Sequence, residues 1–300
     1  MKLEGLGPEF AIARGGESVL HVPTDTKLVL VPAGMLVMGF TIDDILSLVI
    51  ALGDDDSPRR GEVPIEIARG RPARPVAIQP FLAAANLTEE EATSEEAKAA
   101  AKTAGLRLLS EAEWEWIARE GGAVRFTGVP HDEQDAVNGT AWGIGTMDPN
   151  AFGVGDMVEE VEIVADSWHD NYEGAPSDGR PWGNAATAGR VGHTSWQDAM
   201  EVIGLHAAAR YRVSDSARFR FACDVPNAPK PKPADFDIEA SMGDTLAELA
   251  SVAPQDALAT VALVVDLPEA PDTKAFAAAI KHMWPKLRKA TQSALKAHGF

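Results

Sequence analysis

Residues 106–122 constrain the fold of this chain more than any other segment. Ser110 stands three residues before Glu113, which is the spacing of a capping box: each side chain hydrogen-bonds to the backbone N–H of the other residue. This spacing predicts a helix that begins at Glu111. Apolar residues then recur at helical spacing on one face, at Trp114, Ile117 and Ala118. Two glycines at 121 and 122 are a typical helix stop, so the segment predicts a short core helix.

Two other segments also predict helices. Residues 41–53 are rich in Ile, Leu and Val and predict a buried helix. The acidic triplet at 54–56 that follows lacks the spacing of an EF-hand, so we expect a solvated loop there. Residues 88–103 predict a further helix, because glutamates at 89–91 favour the positive end of the helix dipole and two lysines lie near its negative end.

The composition is that of a globular protein without a membrane helix. The 300 residues are 45% hydrophobic, and no apolar run reaches the ~18 residues that a membrane helix needs. The N-terminus lacks a signal-peptide pattern, so we expect a cytoplasmic protein. Cys223 is the single cysteine, which excludes an intrachain disulfide. Its neighbours Phe219 and Phe221 predict a strand packed in the core, where a thiol behaves as a small hydrophobe.

The net charge of −18 is unevenly distributed along the chain. It argues against a nucleic-acid partner, because it would repel a phosphate backbone. Residues 273–300 form a basic segment with six Lys or Arg and no Asp or Glu. A proline-rich stretch lies upstream, and prolines favour extended chain over helix or central strand. We therefore expect a main domain at 1–224, a linker at 225–238 and a small α/β appendage at 239–300, too small to be stable alone.

Several segments of the main domain resemble, in order, the sequence blocks of the formylglycine-generating enzyme (FGE-sulfatase) family. Residues 106–122 are similar to the family signature Arg-Leu-Pro-Thr-Glu-Ala-Glu-Trp-Glu-Tyr-Ala-Ala-Arg-Gly-Gly. Residues 28–39 resemble its opening strand with a Pro-Gly-Gly-x-Phe-x-Met-Gly turn, and residues 74–88 resemble the next strand. Residues 150–157 are similar to Asn-x-Phe-Gly-Leu-Tyr-Asp-Met, and residues 207–223 resemble the closing Ala-Ala-Arg and Gly-Phe-Arg-Cys-Ala run.

This resemblance implies a mixed α+β, C-type-lectin-like fold with short twisted strands, two main helices and long loops that form a surface groove. In the oxidases of the family, two cysteines just before the Ala-Ala-Arg block bind copper(I). An ungapped alignment puts Val202 and Ala207 at those positions. The resemblance therefore implies a catalytically degenerate member that binds no copper and lacks formylglycine-generating activity.

Other metal sites of the family are also eroded. The calcium-binding Gly-Asn-Val-Trp-Glu-Trp block corresponds to residues 159–164, where Glu162 can replace the ligand Glu but the Asn and both tryptophans are missing. The sequence thus leaves open whether this segment binds calcium. Iron-dependent members use a His-x-x-x-His motif, which this sequence lacks. His193 and His206 lie in family blocks, so a metal-dependent oxidoreductase that uses them with Asp198 is the alternative hypothesis.

The leading hypothesis is a binding or adaptor module. No nucleophile elbow or phosphate-binding glycine loop occurs, which argues against common hydrolases and nucleotide enzymes. A protein or peptide held in the groove would be anchored by loop-borne aromatic side chains, since each buries a large area at low entropy cost. The candidates are Trp142, Trp168, Tyr172, Trp182 and Trp196. Core packing is the competing interpretation for each. A third hypothesis is a structural subunit that docks its basic C-terminal segment on an acidic surface.

Overall fold

The computed structural model describes residues 3, 5–13, 18–39, 69–70, 73–122, 149–157, 161–191 and 209–228. Several predictions fall outside these residues: the helix at 41–53, the acidic loop at 54–56, the linker from 229 onward and the appendage. Among the helices that the structure describes, none is long and apolar enough to cross a membrane.

Within the described residues the chain forms twelve short strands and two α-helices. The first half contains β1 (Phe10–Ile12), β2 (Ser18–His21), β3 (Thr26–Val31), β4 (Gly34–Met38), β5 (Arg74–Ile78), β6 (Phe81–Ala84), α1 (Ser94–Thr103), β7 (Arg107–Leu108) and α2 (Glu111–Ala118). The second half contains β8 (Glu162–Ile163), β9 (Ala188–Val191), β10 (Ala209–Arg212), β11 (Arg218–Phe219) and β12 (Phe221–Asp224). Short 3₁₀ turns occupy Val22–Thr24 and Glu120–Gly122.

The strands form three sheets. The largest has the order β1-β2-β3-β6-β12-β7, the second has the order β10-β9-β8-β11, and β4 pairs with β5 alone. All described pairings are antiparallel except that of β8 with β11. Strands distant in sequence therefore lie side by side: β12 is inserted between β6 and β7. The mixed α+β fold class predicted from the sequence is confirmed.

The six-stranded sheet carries apolar side chains on both faces, because successive residues of a strand point to opposite sides. One face shares a core with α2 and includes Val29, Val31, Phe81, Ala83 and Ala222. The opposite face includes Val19, Leu28, Leu82 and Ala84, and it shares a second core with Leu3 and Val225. Val225, the first residue of the expected linker, is thus buried in a core. The sheet is the middle layer of the described part.

Helix α2 begins at Glu111, as predicted, and its capping box is formed. The Glu113 backbone N–H donates to the Ser110 hydroxyl at 3.1 Å, and the Ser110 N–H donates to the Glu113 carboxylate at 2.9 Å. The helix differs from an ordinary surface helix because all eight of its residues are buried. Three of these are glutamates, whose charges must therefore be compensated inside the protein.

Helix α1 is shorter than predicted, because it begins at Ser94 and not at residue 88. Thr93 and Glu96 form a second capping box, with the same spacing as that of α2. The glutamates at 89–91 precede the helix, so they do not face its first turn; Glu95 and Glu96 do. The cap residue, and not the run of acidic residues, determines where this helix starts.

Cys223 lies in β12, as predicted, but it is only partly buried. It packs against the second face of the large sheet. Burial raises the pKa of its thiol, and the charge of Asp224 adds to this. The thiolate is therefore disfavoured, in agreement with a packing role.

Candidate functional site

The site is built around the N-terminus of α2. The Ser110 hydroxyl, besides capping the helix, donates to the carbonyl of Gly179 at 2.7 Å. The N–H of Glu111 donates to one oxygen of Asp166 at 2.8 Å. The other oxygen of Asp166 accepts from the N–H of Trp182 at 2.7 Å. The N-cap residue and the first residue of α2 therefore hold the loop between β8 and β9 against the core.

Asp166 is a buried carboxyl with mixed neighbours. Burial and the nearby charge of Glu111 raise its pKa to about 7, although its two backbone hydrogen bonds and Arg210 act in the opposite direction. Its side chain therefore changes charge near neutral pH, which an ordinary aspartate does not do.

Two of the buried glutamates of α2 form ion pairs with arginines from β9 and β10. Glu111 lies 3.0 Å from Nε of Arg210, and Glu115 lies 2.7 Å from Nη2 of Arg190. Glu115 also pairs with Arg119 at 3.0 Å. These contacts join the helix to the four-stranded sheet. Because each guanidinium is held in a fixed position, it can present its flat faces to aromatic rings.

Five arginine and aromatic side chains, one of them Arg210 from these ion pairs, form an alternating stack. The guanidinium of Arg210 lies 5.2 Å from the ring centre of Trp168 and 4.2 Å from that of Tyr172. Arg69 lies 5.4 Å from the Trp168 ring, and Arg74 lies 6.0 Å from the Tyr172 ring. These distances are those of cation–π contacts. The stack therefore runs Arg69, Trp168, Arg210, Tyr172, Arg74.

Tyr172 is the buried aromatic residue of the stack, and Arg210 beside it is buried as well. Its ring is 2% exposed, and its hydroxyl accepts from Nη1 of Arg190 at 2.6 Å. Burial raises the pKa of this hydroxyl. The structure therefore places Tyr172 beneath the surface, where it supports Arg190 and Arg210.

Trp168 and Trp182 lie nearer the surface, and both are half-buried. The Trp168 N–H donates to Thr187 at 2.9 Å, and its indole N–H donates to Asp170 at 2.9 Å. The ring of His169 stacks on Trp182, with ring centres 3.5 Å apart and an angle of 9° between the planes. We call Trp168, His169 and Trp182 the aromatic surface. The indole hydrogen bond holds the Trp168 ring, and stacking on His169 holds the Trp182 ring.

Glu162, the candidate calcium ligand, is almost completely buried in β8. Both of its carboxylate oxygens accept from Arg220, at 3.1 and 3.3 Å. Arg220 also donates to the carbonyls of Ala84 and Gly155 at 3.0 and 2.9 Å. The charge of Glu162 is thus compensated by a guanidinium that holds three segments together.

The remaining candidate residues, namely Trp142, Trp196, His193, His206 and Asp198, lie outside the described part of the chain. Among the residues that the structure describes, no group of three or more His, Cys, Asp or Glu side chains is arranged to hold a metal ion. The predictions that concern calcium and a histidine metal site stay predictions.

Sequence reasoning missed Asp166 and the arginines at 69, 74 and 190. A signal was present, because a core helix that contains three glutamates requires three cationic partners elsewhere in the chain. No local sequence pattern indicates which arginines these partners are. Arg190 lies 75 residues from its partner Glu115 in sequence.

One comparison with solved structures gives the context of this fold. The chain is similar to PvdO from Pseudomonas aeruginosa, with 24% sequence identity and a TM-score of 0.46. The similarity covers 67% of this chain and 95% of that chain. No activity, ligand or partner follows from this similarity. No family model matches this chain, and no curated protein matches it either.

Proposed function

We propose that this protein is a binding module that holds a protein or peptide segment against the aromatic surface. The observation that carries the proposal is that Trp168 and Trp182 are both half-buried, while their backbone N–H groups donate to Thr187 and to the buried Asp166. An aromatic side chain that is already ordered loses little entropy when a partner covers it. Such residues are the usual energetic centres of binding surfaces.

Buried ion pairs beneath the aromatic surface support the proposal, because they position its tryptophans. Glu111 and Glu115 each pair with an arginine, so both carboxylates are committed to holding the helix against β9 and β10. Arg210 in turn backs Trp168 through its guanidinium face. In this proposal the ionic cluster keeps the aromatic surface rigid, and the rings themselves contact the partner.

The test uses the full chain and a phage-displayed random peptide library as the probe. Selected peptides are resynthesised with a fluorophore, and their Kd is measured by anisotropy. We expect Trp168→Ala and Trp182→Ala each to weaken binding by at least about tenfold. The matched control is Ile12→Ala, since Ile12 is 51% exposed on β1 and lies outside the aromatic surface.

The proposal fails if no peptide is selected, or if the selected peptides bind both tryptophan variants as tightly as the unchanged protein. Far-ultraviolet circular dichroism and a cooperative thermal transition of each variant verify that the fold is retained. The finer hypothesis of a degenerate FGE-like adaptor depends on this result together with an assay for formylglycine formation.

The alternative hypothesis, a metal-dependent oxidoreductase, is tested separately. It relies on His193, His206 and Asp198, which lie outside the described residues. Mass spectrometry of the purified protein is the direct measurement. Stoichiometric iron or copper that is lost in His193→Ala and His206→Ala would favour the oxidoreductase over the binding module.

A further inference from the structure

Asp166 connects Trp182 to helix α2. It is 5% exposed, and each of its two oxygens accepts one backbone N–H. The donor to Oδ2 is the first residue of α2, Glu111, at 2.8 Å. The donor to Oδ1 is Trp182, at 2.7 Å. The ionised carboxylate has lone pairs for both donors.

Charged groups from three elements face Asp166. Glu111 of α2 raises the pKa of Asp166, in addition to the effect of burial, and Arg210 of β10 lowers it. Arg74 of β5 also interacts with its charge. The balance puts the pKa of Asp166 at about 7. Small changes of pH around neutrality therefore change its protonation state.

Protonation converts one carboxylate oxygen into a hydroxyl, which carries a hydrogen and competes poorly as an acceptor. One of the two N–H donors then loses its partner. The Glu111 N–H belongs to the first turn of a helix that is buried on all sides. Trp182 belongs to a loop without helix or strand, so its N–H turns away at a smaller cost.

We propose that Asp166 is a pH-sensitive latch, whose protonation releases the backbone N–H of Trp182 and loosens the aromatic surface. The release also affects Ser167 and His169, two residues that contact Trp182. Its carbonyl accepts from the N–H of Ser167 at 2.9 Å, and its ring is stacked on His169. The aromatic surface is ordered above neutral pH and less ordered below it. Regulation of partner binding by this latch rests on the proposed function, whereas the latch itself does not.

The test follows the backbone amide of Trp182 by NMR in the full chain labelled with ¹⁵N-tryptophan. Trp182→Phe assigns the signal. Between about pH 5 and pH 8, we expect the amide proton to shift upfield as the pH falls, with a midpoint near 7. His169→Gln is the matched control, because it removes the titratable ring that stacks on Trp182 and keeps Asp166. The titration persists in His169→Gln and is absent in Asp166→Asn.

A Trp182 amide signal that does not move over this range in the folded protein overturns the latch. So does a titration that disappears in His169→Gln or survives in Asp166→Asn. If Asp166→Asn does not fold, the unchanged protein and His169→Gln still test the latch. A titration that persists in His169→Gln supports it, and one that disappears overturns it. A clear latch titration combined with no peptide binding would remove the proposed function alone, so the two failures are distinguishable.

Discussion

The carboxylate of Glu115 lies 2.7 Å from the guanidinium of Arg190, and neither side chain is exposed to solvent. The second oxygen of Glu115 accepts from the N–H of Gly39 at 3.0 Å and pairs with Arg119 at the same distance. One side chain of α2 thus connects the end of β4 with β9. Such an ion pair contributes to stability only while both partners are present, because an unpaired buried charge is costly.

The first prediction concerns the loss of this charge. Glu115→Gln keeps the shape of the side chain but leaves Arg190 and Arg119 without their buried counter-charge. We expect the free energy of unfolding to fall by about 3–5 kcal/mol. The measurement is urea unfolding followed by circular dichroism. Glu95→Gln, which removes the exposed pair with Lys98 on α1, is expected to cost less than about 0.5 kcal/mol. Equal effects of the two variants would contradict the structure.

The second prediction compares the two capping boxes. Thr93→Ala removes an exposed cap from α1 and should cost about 1 kcal/mol. Ser110→Ala removes a completely buried cap from α2 and also leaves the Gly179 carbonyl without its donor. The lost hydrogen bond adds about 1–3 kcal/mol. Thermal and urea unfolding of both variants test the order. A larger loss for Thr93→Ala would show that the Ser110 hydroxyl does not bond to Gly179 in solution.

How far the sequence determines this fold is visible in the two helices. The start of α2 was predicted correctly, because Ser110 and Glu113 form a local pattern and apolar residues follow at once. The start of α1 was predicted six residues too early, because the acidic residues before Thr93 resemble a first helical turn. The spacing of Thr93 and Glu96 contained the correct answer. Capping chemistry is local, and local patterns can be recognised in sequence.

The site was less predictable, since its contacts join distant segments. Arg210 donates to the carbonyl of Arg69, which is 141 residues away. Tyr172 and Trp168 were both candidate anchors, yet only the structure distinguishes the buried ring from the half-buried one. A carboxylate such as that of Glu162 can either bind calcium or form an ion pair with an arginine. Which of these is present depends on tertiary packing, and no spacing in the sequence encodes it.

The third prediction concerns a close approach between β4 and α2. A Cβ added to Gly34 would lie 2.2 and 2.3 Å from two ring carbons of Trp116. The Trp116 indole N–H donates to the Pro32 carbonyl, so the ring is held in place. We expect Gly34→Ala to cost about 1–3 kcal/mol or more through overpacking.

Gly105→Ala is the matched control for Gly34→Ala. Gly105 has a φ of +69° and open space around its Cβ position, so only backbone strain of about 1–2 kcal/mol applies. The two causes are separable by near-ultraviolet circular dichroism. We expect the tryptophan signal to change in Gly34→Ala and to be unaltered in Gly105→Ala. An unaltered signal in both variants would contradict the contact with Trp116.

The fourth prediction concerns calcium. Because both oxygens of Glu162 accept from Arg220, this carboxylate has no free pair of oxygens for an ion. We expect Glu162→Gln to lower the thermal midpoint by the same amount in calcium and in a chelator. A midpoint that falls on chelation in the unchanged protein, but not in Glu162→Gln, would show instead that Glu162 binds the ion.

The last prediction follows from the sign of the Asp166 shift. The pKa of this carboxyl rises from 3.8 to about 7 on folding. Between these values the folded protein holds a proton that the unfolded chain has lost, so stability falls as the pH rises through this window. The contribution is complete below pH 3.8 and absent above about pH 7.

Other carboxyls also titrate at low pH, so the useful quantity is a difference between two proteins. We expect the free energy of unfolding of the unchanged protein, minus that of Asp166→Asn, to decrease as the pH rises from about 4 to about 7 and then to become constant. Asp178→Asn is the control, since Asp178 belongs to the surface pair with Arg180. A difference that is flat across the window would mean that Asp166 is ionised throughout, and that burial and Glu111 do not outweigh Arg210 and the two N–H donors.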